Sequence, residues 1–167
     1  MAQLVSLQTL LTYLTLISIP VGVIYHIMTL RNQNRTRQAQ LFMQIYSRCT
    51  DPEFHQNYIE VTSREWNDTA DYAEKYGPQS DPEAEPRRRS IAFYFEGVGV
   101  LVERKLIDIT LVDDLMSSLI MDYWDKYGPA MVEWRKQFNK PQAEEWTEYL
   151  YNKIQKVAKR QHPELKT

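Results

Sequence analysis

The first thirty residues, Met1 to Leu30, contain no Asp, Glu, Lys or Arg, and three arginines, Arg31, Arg35 and Arg37, follow within seven residues. As a helix over 3–30 this run is about 40 Å long, more than the roughly 30 Å hydrocarbon core of a bilayer demands. A helix buried in a soluble core is ordinarily shorter and carries charge on its outer face. A secretory signal fits no better. No Lys or Arg precedes the apolar run, the run is too long, and His26, Met28 and Leu30 stand where a peptidase needs small residues. The expectation is a transmembrane helix. Basic residues at one end of a span are retained in the cytoplasm, so the topology expected is single-pass in the cell (inner) membrane, with the N-terminus outside and the rest cytosolic. Pro20 removes one helical hydrogen bond near the centre and predicts a tolerated kink.

Within the run, steps of four and three bring Gln8, Thr12, Thr15, Ile19, Gly22, His26 and Thr29 onto one narrow stripe, and Leu and Val dominate elsewhere. Small and hydroxyl-bearing residues in such a stripe suit close approach of a second helix in lipid. The same stripe, repeated around a ring, would line a narrow pore with His26 as a titratable gate. Tyr25 beside His26 equally fits the interfacial belt.

The span leaves about 135 residues, the size of one ordinary domain. Lys and Arg number 20 against 22 Asp and Glu, so no general nucleic-acid footprint is present. Cys49 is the single cysteine, which excludes an intramolecular disulfide and reads as a small buried apolar residue.

Helical periods run through this portion without strand-like alternation, so the fold class expected is all-α: the first helix continuing into a cytosolic helical bundle over 31–160, with a C-terminal tail over 161–167. Thr50 or Asp51 caps a helix that starts at Pro52, and Gly77 with Pro78 stops a short one. Three prolines, Pro78, Pro82 and Pro86, mark a surface loop whose Arg87, Arg88 and Arg89 have Asp81, Glu83 and Glu85 at hand for pairing. In IAFYFEGVGVLVERKLID the inward face is Ile91, Tyr94, Phe95, Val98, Leu101 and Val102, and Gly97 and Gly99 predict close approach of another helix. Glu96 interrupts this apolar run. A carboxylate there wants a cation or a raised pKa, and Arg135, or one of the arginines after Pro86, is the expected partner in a buried ion pair. Asp108 or Thr110 then caps a helix with Leu111, Leu115, Leu119 and Tyr123 at helical spacing, which Gly128 and Pro129 break or bend. The last helix starts at Pro141, with acids early and bases late.

No Gly-rich phosphate loop, HExxH, CxxC pair or GxSxG elbow occurs, and His26, His55 and His162 are scattered. Asp113, Asp114 and Asp122 read as solvated acids before they read as a cation site. No catalytic residue, cofactor or metal site is therefore assigned, and an enzyme is not expected. The combination of an N-terminal span, an Arg-rich exit helix, FYFEGVGVLVERKLIDITLVDDL and YWDKYGPAMVEWRKQF resembles the domain of unknown function 4760 family, small prokaryotic proteins with one membrane helix and a helical cytosolic region. The resemblance implies topology and a helical fold and brings no catalytic residue. The function expected is an interaction or scaffold module, or an accessory subunit of a membrane complex. The partners expected are lipid and either further copies of the chain or other subunits. A homo-oligomeric ion or proton channel is the alternative.

Overall fold

A computed structural model describes residues 2–77 and 79–161, with side chains from residue 6 to residue 160. Of the tail expected over 161–167, Gln161 is still helical, and the remainder with His162, like Pro78, lies outside the described residues. Among the described residues six helices follow in order: α1 Ala2–Cys49, α2 Pro52–Ser63, α3 Thr69–Tyr76, α4 Ala84–Glu103, α5 Ile109–Phe138 and α6 Glu145–Gln161. No strand occurs among the described residues. The all-α expectation is met.

The described residues fall into two compact units that divide between Gln40 and Leu41. In the first unit, the large apolar side chains from Leu7 to Leu30 are 45% to 72% exposed. No face of this segment is covered, as one face of a core helix would be. The helix is long and apolar enough to cross a membrane. Pro20 lies inside it without ending it.

The second unit is a helical bundle in which α6 packs on both α4 and α5, and α2 packs on α4. Its core joins Phe42 and Cys49 from the end of α1 to Phe54, Ile91, Phe95 and Met116. On α4 the expected inward face is largely correct: Ile91, Phe95, Val98 and Val102 are buried, with Tyr94 and Leu101 packed at its edge. On α5 the expected row is inward only in part: Tyr123 is buried and Leu111 and Leu119 pack at the edge of the core. Val112, Met116, Ile120 and Tyr123 form the buried stripe, and Leu115 is 46% exposed. Neighbouring rows of apolar residues on one helix are hard to rank by period alone.

Capping follows local chemistry. Asp51 accepts from the amides of Glu53 (3.0 Å) and Phe54 (3.3 Å) at the start of α2, and Asp108 accepts from the Thr110 amide (2.9 Å) at the start of α5. Two expected boundaries move. α5 runs unbroken through Pro129, and Gly128 is there because a Cβ would come within 2.8 Å of the Trp124 ring. α6 begins at Glu145 rather than Pro141, because the connection spends two non-glycine residues, Asn139 (φ 50°) and Glu144 (φ 55°), in the left-handed region.

The two glycines of α4 also separate. At Gly99 a Cβ would lie 2.3 Å from the Trp146 carbonyl oxygen, whereas at Gly97 it would meet nothing within 4 Å. Close helix approach is thus the business of Gly99 alone. Gly99→Ala is expected to destabilise the bundle by about 1–3 kcal/mol through overpacking, and Gly97→Ala to stabilise it by about 0.5–1 kcal/mol through helix propensity. Thermal unfolding of the two variants, followed by helical circular dichroism in mild detergent, checks both signs.

Candidate functional site

Extending the buried face of α4 back by one turn from Ile91, Ala92 and Phe95 reaches Arg88, which is 7% exposed. Its guanidinium is fully engaged. Nε and Nη2 donate to the two carboxylate oxygens of Glu85 at 3.0 Å each, and Nη1 donates to Glu144 Oε1 at 2.7 Å and to the Tyr123 hydroxyl at 3.1 Å. The Tyr123 hydroxyl in turn donates to Glu144 Oε2 at 3.2 Å. Burial works against the Arg88 charge, but the Glu85 hydrogen bonds and the neighbouring Tyr123 and Glu144 outweigh it and hold the pKa above the ordinary arginine value. Burial, then the Glu144 charge, pushes the Tyr123 hydroxyl well above the phenol range, so it remains a neutral donor. This network holds Glu144 in its left-handed conformation, a cost of about 1–3 kcal/mol for a non-glycine residue.

Above the network lies a cleft of about 740 Å³, walled by α3, α4, α5 and the turn before α6. Its walls carry aromatic rings from α3, α4 and α5. Trp66 packs at 5.0 Å from Tyr127 and 5.1 Å from Tyr72, and Trp134 at 4.9 Å from Phe138. The Tyr72 hydroxyl is buried and accepts or donates no hydrogen bond of normal geometry. At the rim, Phe93 is 63% and Phe138 52% exposed. The volume falls in the range of ligand-binding clefts, which run from about 300 to 1,000 Å³.

The residues singled out from sequence lie elsewhere. On α1, Thr12, Thr15 and Thr29 donate their hydroxyls to the carbonyls of Gln8 (2.9 Å), Leu11 (2.8 Å) and Tyr25 (2.9 Å). Gln8, Gly22 and His26 are exposed, as are Arg31, Arg35 and Arg37. The expected Glu96–Arg135 pair is not brought together. Glu96 Oε1 accepts from the Thr147 amide at 2.6 Å and from the Thr147 hydroxyl at 2.9 Å. Arg135 pairs with Glu148 and donates from Nε to the Ala143 carbonyl at 2.6 Å. The physical reason is that the first turn of α6 offers unpaired amides, and Glu96 caps them from α4. Burial raises the Glu96 pKa, partly offset by the Thr147 donors. Among the described residues no three His, Cys, Asp or Glu side chains group to hold a metal ion.

Sequence reasoning left the arginine triplet to a surface loop and so missed Arg88. The readable signal was its place four residues before Ala92 and seven before Phe95 on the same helix face. Of the triplet, Arg88 does pair with Glu85 as anticipated, but Arg87 pairs with Glu60 at 2.8 Å and Arg89 stands over the Phe93 ring.

A helical bundle with one helix long and apolar enough for a membrane defines the class. The family model described as Domain of unknown function (DUF4760) matches residues 16–154, and the chain belongs to that family. No curated protein and no solved structure matches at a significant level.

Two outcomes are expected from these contacts. Arg88→Met leaves Glu144 and Tyr123 buried without their cation and costs about 3–5 kcal/mol, measured by chemical denaturation followed through tryptophan fluorescence. For Glu96, the folded-state pKa lies above its ordinary 4.5. The contribution of the group is therefore fully present below pH 4.5 and is lost as pH rises through the folded value. Glu96→Gln keeps an acceptor for Thr147 and removes the ionisation, so its stability relative to the parent grows from pH 4.5 upward.

Proposed function

We propose that the chain is a single-pass membrane protein, N-terminus outside and helical domain in the cytosol, whose domain binds another protein and serves as a scaffold or accessory subunit of a membrane complex. The observation that carries this reading is the aromatic cleft with its uncovered rim. Contiguous exposed apolar surface bordered by polar residues marks interaction sites, and Trp, Tyr and Arg are the residues in which contact energy concentrates. The orientation is supported by Arg31, Arg35 and Arg37 at one end of an uncharged run.

The test is cross-linking in intact membranes, then purification in mild detergent with mass determination. The chain is expected to elute with a second polypeptide, and a reporter fused to its C-terminus to be active only in the cytosol. A monomer under every cross-linking condition would remove the interaction role. A pH-dependent conductance in liposomes, abolished by His26→Ala, would put a channel in its place.

A further inference from the structure

The acids that line the cleft are already engaged: Glu85 and Glu144 both bind the buried Arg88, whose single positive charge leaves the trio with one net negative charge. The cations around it are not. Arg89 lies 5.4 Å from the Phe93 ring centroid and Lys140 5.8 Å from that of Trp134, both in the cleft lining. Among the described residues neither has a carboxylate within 4.0 Å. Each therefore stands over a wall aromatic, where an exposed cation gains only about 0.5–1 kcal/mol, and keeps its donors for an incoming anion.

From this we infer that the cleft takes an acidic, amphipathic segment of a partner protein, with apolar side chains entering between Trp66, Phe93 and Trp134 and carboxylates meeting Arg89 and Lys140. The charge complement selects an acidic ligand. Shape selects a protein segment over a bilayer surface, because a concave cleft of about 740 Å³ is filled by protruding side chains. The rim selects it over a small molecule: Phe93 and Phe138 extend the apolar surface outside the cavity, where only a larger partner covers them. A helix offering anchors at i, i+3, i+4 and i+7 is one recognised way to fill such a groove.

This inference rests on the interaction reading above and specifies its site. The full chain in phosphatidylcholine nanodiscs is panned with a phage library of random peptides. The enriched peptides are expected to combine aromatic or aliphatic anchors with net negative charge. Exchange of Arg89 and Lys140, both exposed, for Glu is expected to weaken them by about tenfold or more while thermal unfolding is unchanged. Lys in place of Glu in the peptide restores binding to the exchanged chain. Failure to enrich, enrichment of neutral or basic peptides, or indifference to the exchange would overturn the inference. So would loss of peptide binding when phosphatidylglycerol replaces phosphatidylcholine, which would give the cleft to lipid headgroups. If the cross-linked partner still co-purifies with the R89E/K140E chain, the interaction reading stands and the cleft assignment alone fails.

Discussion

One guanidinium ties together three parts of the bundle. Arg88 on α4 grips Glu85 one turn before it, the Tyr123 hydroxyl on α5, and Glu144 in the turn that leads into α6. Taking these charges out of water is expensive, and the arrangement is tolerable only because the donors on one side meet acceptors on the other. The return is geometric. Glu144 is fixed in a conformation it would not otherwise favour, the path of the 139–144 connection follows from that, and this connection forms one wall of the aromatic cleft. The shape of the candidate site is thus set by an ion network beneath it.

A second clamp acts at the start of α6. Glu96 reaches from α4 to the Thr147 amide and hydroxyl, and three residues on, Gly99 lets the Trp146 backbone lie against α4. Arg135 completes the corner through Glu148 and the Ala143 carbonyl. Side chains from α4 and α5 therefore help to specify the entry into α6. Helix termini carry unpaired amides that must find acceptors, and here the acceptor comes from another helix.

That division explains what could be read beforehand. The uncharged run, the helical class, the caps at Asp51 and Asp108 and the α4 face are local properties, written in spacing and residue type. The partner of Glu96 is not local: a carboxylate in an apolar run declares that it needs a donor, and Arg135 was a reasonable candidate, yet an amide does not register in side-chain sequence. On α5 the spacing found Tyr123 but not the deepest positions, because Leu111, Leu115 and Leu119 are as apolar as Val112, Met116 and Ile120, and tertiary packing alone ranks them. The cleft was illegible for the same reason, since Trp66, Phe93, Tyr127 and Trp134 converge only after folding. Read singly they pass for core fillers.

The lone thiol has a consequence of its own. Cys49 is 4% exposed, its Sγ donates to the Tyr94 hydroxyl at 3.2 Å, and that hydroxyl donates to the Ile45 carbonyl at 2.8 Å. Burial lifts its pKa further, so the nucleophilic thiolate is scarce as well as shielded. An alkylating reagent must wait for the end of α1 to lift away from α4. With no other sulfhydryl in the polypeptide to compete, the pace of labelling becomes a clock for that breathing motion, built into the native chain without any engineered probe.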